Sequence, residues 1–290
     1  MSNPLSRREA LELMAGSALV LAAPLAGSAA QENDPPRMNH SRYHHSVCRW
    51  CYAGIPLEKL ALDAKSLGIQ SVELLEPVEW PVVQRAGLTC ALANGTTRIG
   101  EGFNRTENHA RFVPSMKERI AQCADAGLPN VICFSGNRHG LGDEEGLENC
   151  AQGLRQIIPT AEQRRVTVVM ELLNSKVDHK DYQCDRTAWG VELVKRVGSE
   201  RFKLLYDIYH MQIMEGDIIA TIRDNYAHIG HYHTGGCPGR HEIDDSQELN
   251  YAAIMREIAA TGFNGFVAQE FVPTRDPLRS LADAIRICSV

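Results

Sequence analysis

The sequence predicts an α/β chain folded as a (β/α)8 barrel. Two observations carry this reading. Eight short apolar runs alternate with helical stretches from Tyr43 to the end of the chain. The runs are continuously apolar rather than alternating, as expected of parallel strands covered on both faces. Four runs in the second half then point to where the chemistry lies, because each ends in a ligand-type residue: Glu171, Asp207, His233 and Glu270. Their spacings of 36, 26 and 37 residues fit successive strand–helix–strand units.

The elements follow in order. Tyr43–Trp50 reads as a first strand, and Pro56–Leu67 has helical period with Gly68 as its stop. Ser71–Leu75 and Gly87–Ala93 are the second and third strands. Ala110–Ala126 is an amphipathic helix closed by Gly127. Asn130–Phe134 is the fourth strand and Glu144–Gln163 the helix after it. Thr167–Leu172 is the fifth strand, and Trp189–Val197 a helix closed by Gly198. Phe202–Tyr206 is the sixth strand, followed by a helix over Asp217–Arg223. Ala227–His233 is the seventh strand, with Tyr251–Thr261 a helix closed by Gly262. Gly265–Glu270 is the eighth strand and Leu278–Cys288 the last helix. A doubly wound open sheet would place a glycine-rich phosphate turn after the first strand. Cys51-Tyr52-Ala53-Gly54 stands there instead. No Walker sequence or G-x-S-x-G occurs.

Of the 290 residues, 44% are hydrophobic and 23% charged, with a net charge of −6. These are ordinary globular values, and the length suits one barrel behind a targeting segment. A mildly acidic chain without a Lys/Arg tract argues against nucleic acid as a partner. Ser6-Arg7-Arg8, an Ala/Gly-rich apolar run over Leu13–Leu25 and the small residues Ala26-Gly27-Ser28-Ala29-Ala30 describe an export signal. The paired arginines and weak hydrophobicity match the twin-arginine type. The expected layout is a signal over 1–30, a polar linker over 31–40 and a catalytic domain over 41–290. The expected location is the periplasm, with no stable membrane insertion once the signal is cut. Nine cysteines leave at least one thiol unpaired. Cys48-Arg49-Trp50-Cys51 lacks a second pair at zinc spacing and lies at a strand end, which argues against zinc or redox work.

In a barrel, the C-terminal strand ends converge on the face where active sites are built. Glu171, Asp207, His233 and Glu270 would therefore meet on one side of the mouth. Three carboxylates and one imidazole suit one divalent ion, Mn2+, Mg2+ or Co2+, with Zn2+ less typical of that donor set. His210, three residues past Asp207, is placed to orient substrate or support a ligand. Pro238-Gly239-Arg240-His241-Glu242 forms a loop after the seventh strand. Arg240 can hold a substrate hydroxyl, carbonyl or carboxylate. His241 and Glu242 are candidates for substrate contact or for steadying that loop.

The motifs Met170-Glu171-Leu172-Leu173-Asn174, Asp207-Ile208-Tyr209-His210, His231-Tyr232-His233 and Gln269-Glu270-Phe271 resemble the xylose isomerase-like TIM-barrel superfamily. Pro238-Gly239-Arg240-His241-Glu242, with Glu248-Leu249-Asn250-Tyr251 after it, resembles the hydroxypyruvate isomerase and sugar epimerase branch. The resemblance covers roughly residues 41–285. It implies a metal held by Glu171, Asp207, His233 and Glu270, with Glu171 and Glu270 as the acid/base pair. It implies a carbohydrate or small hydroxy-carbonyl substrate and isomerisation or epimerisation through an enediolate. It also implies a homo-oligomer, since members often associate. Gln often stands at the position of His233 in the hydroxypyruvate isomerase pattern, and His there matches the epimerases. The alternatives are a lyase or hydratase acting on an oxidised sugar or keto-glycoside, and a non-catalytic exported sugar-binding barrel. A phosphodiesterase like the endonuclease members would need further His ligands and a basic face.

Overall fold

The computed structural model describes residues 43–290. The export signal and linker expected over 1–40 lie outside them. Within the described residues the chain order is β1 (His44–Cys48), α1 (Leu57–Ser66), β2 (Ser71–Glu73), α2 (Trp80–Arg85), β3 (Leu92–Ala93), α3 (His109–Asp125), β4 (Asn130–Cys133) and α4 (Asp143–Arg164). It continues with β5 (Thr167–Glu171), α5 (Thr187–Val197), β6 (Phe202–Asp207), α6 (Ile208–Met214), α7 (Ile218–Asn225), β7 (Ile229–Thr234), α8 (Tyr251–Ala260), β8 (Phe266–Gln269) and α9 (Pro277–Cys288).

The strands pair in parallel in the order β2-β1-β8-β7-β6-β5-β4-β3. Single bridges Ser71↔Thr89 and Leu75↔Ala93 bring the two ends of that order together. The result is the expected (β/α)8 barrel. The helices bury one stripe each against it: α1 buries Leu57, Leu60, Ala61 and Ala64, and α8 buries Tyr251, Ile254, Met255 and Ile258. Local chemistry sets several helix ends. Asp143, Glu144 and Glu145 crowd the first turn of α4, where the helix dipole favours negative charge. The side chains of Asn250 and Asp276 accept from Ala253 N and Arg279 N to cap α8 and α9.

Successive strand residues point to opposite faces, so residues two apart share one. Leu92, Ile132, Val169 and Leu205 form a small buried cluster with one residue from each of β3 to β6. Two residues further along β5 and β6 come Glu171 and Asp207. The polar site therefore sits one layer above an apolar floor inside the barrel.

Register decides which residues complete that layer. Leu204 pairs with Ile229 but Leu205 pairs with His231, so β7 carries an extra residue, Gly230. This bulge sets His233, rather than Tyr232, level with Asp207. A Cβ on Gly230 would lie 2.9 Å from Lys203 Cβ, so only glycine fits without a shift. Gly230→Val should lower stability by about 1–3 kcal/mol, read from the urea midpoint at unchanged slope.

Candidate active site

The structure brings together the four residues expected to converge. Glu171 ends β5, Asp207 ends β6, His233 is the penultimate residue of β7, and Glu270 directly follows β8. All four are buried, and one donor atom from each lies within 4.8 Å of the others. His233 Nδ1 is 2.6 Å from Glu270 Oε2 and 3.7 Å from Glu171 Oε1. Asp207 does two things at once. Its Oδ1 accepts from His210 N at 3.0 Å, capping α6, while Oδ2 faces Arg240 at 2.9 Å. The strand thus turns into a helix at the proposed ligand itself, which fixes the carboxylate's direction.

Of the loop residues, His210 and Arg240 join the cluster. The Arg240 guanidinium bridges Asp207 and Glu270, and its Nη1 donates to His210 Nε2 at 2.7 Å. It lies 5.4 Å from the Trp50 ring and 5.1 Å from the Tyr209 ring. Trp50 Nε1 also donates to Glu270 Oε1 at 2.7 Å. His210 Nδ1 lies 2.6 Å from the amide of Asn174. Burial, reinforced by the charge of Arg240, pushes the His210 pKa well below the usual range, leaving a neutral ring able to accept from the guanidinium.

His241 and Glu242 do not join the cluster. His241 Nδ1 donates to Val272 O at 3.0 Å, at the surface. Glu242 is buried and accepts from Thr274 N, Thr274 Oγ1, Arg275 N and Ser280 Oγ at 2.8–3.2 Å. Its carboxylate is consumed in tying the loop after β7 to the loop after β8. Glu242 therefore steadies the loop, and its carboxylate does not reach the four-residue cluster.

Two residues carry weight that the sequence reading missed. Trp50 is one. Glu73, at the end of β2, is the other: it is fully buried and accepts from His231 Nε2 at 2.9 Å and His233 Nε2 at 2.8 Å. The signal was present, because Val72-Glu73 repeats the pattern of an apolar run ending in an acid. The run is too short to stand out. Cys48 lies beside this group, with Sγ 3.8 Å from His233 Nε2. All nine cysteines are free thiols.

The electrostatics of the cluster are uneven. Burial raises the Glu171 pKa, and the nearby Glu270 charge adds to the rise. Burial lifts Asp207 to about 7 against the pull of Arg240. Burial also opposes the charge on Glu270, but Arg240 and His233 outweigh it and hold that carboxyl well below the usual range. Glu73 behaves likewise: burial is outweighed by His231 and His233, and its pKa falls to about 2. Crowded buried carboxylates raise one another's pKa, and a divalent cation relieves that repulsion. Three carboxylates and an imidazole nitrogen converging at strand ends form a donor set that fits such an ion. The Asp207 and Glu270 oxygens that would serve it are the ones Arg240 holds.

The family described as xylose isomerase-like TIM barrel matches residues 63–288. The chain belongs to this family. It is 35% identical over 222 residues to the 2-oxo-tetronate isomerase of Cupriavidus necator, covering 73% of this chain and 75% of that one. It is 25% identical over 246 residues to a human protein that carries a provisional hydroxypyruvate isomerase name, covering 79% and 88%. Two solved structures share the fold. AP endonuclease, family 2, from Brucella melitensis has a TM-score of 0.73 at 23% identity, covering 83% of this chain and 97% of that one. The 3-keto-D-glucoside 4-epimerase YcjR from E. coli has a TM-score of 0.70 at 19% identity, covering 85% and 100%. The expected family is thus confirmed, and the named relatives are isomerases, as the resemblance implied.

The Glu242 clamp has a pH signature. Burial disfavours its charge, but hydrogen bonds from its own backbone, Thr274 and Ser280 hold its pKa at about 2. A carboxylate depressed in the folded state contributes stability above its unfolded pKa of about 4.3, and that contribution fades as pH falls toward the folded value. Glu242→Gln should therefore destabilise the barrel at pH 7, by about 2–4 kcal/mol. The gap from wild type should shrink between about pH 5 and pH 3. Urea titrations of both proteins across that range check it.

Proposed function

We propose that the protein is a divalent-metal-dependent isomerase or epimerase of a sugar or small hydroxy-carbonyl compound. The observation that carries this reading is the convergence of Glu171, Asp207, His233 and Glu270, with two glutamates of opposite proton affinity at its edges. The isomerase names of the relatives support it.

In this reading Glu171, Asp207, His233 and Glu270 hold the ion. When bound, the ion polarises a carbonyl and its neighbouring hydroxyl and eases removal of the carbon-bound proton. Glu270 starts ionised, because Arg240, His233 and the Trp50 indole all favour its charge, and it takes the proton. Glu171, the other glutamate of the set, returns one. Return at the neighbouring carbon, with the hydroxyl proton passed to the former carbonyl oxygen, gives isomerisation, and return to the same carbon from the opposite face gives epimerisation. Arg240 leaves the carboxylates to hold a substrate oxygen, and the neutral His210 ring steadies either the guanidinium or a substrate hydroxyl. Trp50 donates to Glu270 and its ring lies beside Arg240, flanking that side of the site. The export signal over residues 1–30 and a periplasmic location belong to the same reading, and sequencing the mature N-terminus tests them.

Incubation with ketoses, 2-oxo acids and keto-glycosides in D2O should place deuterium at a carbon beside the carbonyl of the true substrate. Glu270→Gln and Glu171→Gln should each reduce that exchange by about 10²–10⁴-fold while leaving circular dichroism unchanged. Exchange at the wild-type rate in Glu270→Gln would sink the assignment of the base. Chelation should abolish exchange and Mn2+ restore it, with about one ion bound per chain.

A further inference from the structure

The mechanism above leaves one buried acid unused. Glu73 comes from β2, on the opposite side of the barrel from β5 and β6, and is fully buried. One of its oxygens, Oε1, receives two ring nitrogens, His231 Nε2 at 2.9 Å and His233 Nε2 at 2.8 Å. Its other oxygen has no hydrogen-bond partner among the described residues, and neither has His231 Nδ1.

A carboxylate only accepts hydrogen bonds, so both Nε2 atoms must carry protons. For His231 the consequence is local, since its Nδ1 meets nothing. For His233 it decides the site. Nδ1 faces Glu171 and Glu270, 3.7 Å and 2.6 Å from their oxygens; by the same rule it donates to Glu270 without an ion, and it is the nitrogen that gives up its proton to an ion because Nε2 is held by Glu73. Rotating the ring to present Nε2 instead would break the contact with Glu73 and leave a buried charge short of a donor. The two faces of the imidazole thus have different work: one is tied to the barrel and the other is offered to the cluster. This geometry is that of a ligand imidazole oriented by a carboxylate behind it.

We propose that Glu73 is the positioning residue that fixes the tautomer and orientation of His233 and so presents Nδ1 to the divalent ion. The proposal rests on the reading of His233 as a ligand. His231 shares the same oxygen and serves as a second donor that balances the buried carboxylate. In this arrangement Oε1 of Glu73 stays with the two Nε2 atoms, and its effect on the cluster passes through His233.

The test uses Mn2+ alone, with no substrate. Isothermal titration of the full barrel with Mn2+ should show Glu73→Ala binding about 10–100-fold more weakly than wild type. Glu73→Gln, whose amide oxygen still accepts from one ring, should recover part of the loss. Equal Mn2+ affinity in wild type and both variants would overturn the proposal. Failure of the wild type itself to bind Mn2+ would instead refute the metal reading. A second measurement needs no variant to fold. In ¹⁵N-histidine-labelled wild-type protein with Zn2+, the His233 ring should show a proton on Nε2 and none on Nδ1. The reverse tautomer would overturn the proposal whatever the variants do.

Discussion

Everything at the mouth of this barrel turns on one buried imidazole surrounded by carboxylates from three strands. Glu73 of β2 stands behind His233, while Glu171 of β5 and Glu270 after β8 stand in front. Burying that many acids is costly unless positive charge and hydrogen-bond donors come with them. His233 supplies one counter-charge and Arg240 the other. The Gly230 bulge sets the imidazole level with Asp207, and the cap on α6 aims that acid. The loop network around Glu242 then holds Arg240 in reach. Each is a local device for the same task, keeping a charged layer compact above an apolar floor.

Most of the fold was legible because parallel strands covered on both faces read as unbroken apolar runs, and glycines punctuate the helix ends. The reading failed where punctuation is absent. The stretch between the expected sixth strand and the helix expected over Asp217–Arg223 shows no helix signal, yet Ile208–Met214 is helix α6. The strand runs into it without Gly or Pro, since Asp207 is at once the last strand residue and the helix cap. The short helix α2 went unread for a related reason: at six residues, Trp80–Arg85 is too brief to show a period. β3 shrank from Gly87–Ala93 to Leu92–Ala93, with Thr89 keeping only a bridge to Ser71.

The four convergent residues were legible from position alone, because a barrel maps strand ends to one mouth. What sequence spacing cannot convey is which side of a ring or carboxylate faces which neighbour. Glu73 lies 160 residues from the histidine it holds, and Trp50 lies 220 from the glutamate it contacts. The first link crosses the barrel and the second joins the neighbouring first and last strands, so neither leaves a trace in local pattern. Glu242 shows the converse. It sits beside Arg240 in the motif that carries the resemblance, yet its side chain turns away from the cluster to Thr274, Arg275 and Ser280.

That turn joins the loops after β7 and β8 into one piece. Arg240 Nε reaches Glu270 O, Val272 N reaches Arg240 O, His241 reaches Val272 O, and Glu242 fastens the far end. Two such loops are mechanically one unit. An insertion in one breaks bonds owned by the other. Room for new substrates lies instead in the loops leaving β2 to β4, which stand outside this network of bonds. A designer recruiting the scaffold should graft there and leave the stitched pair whole.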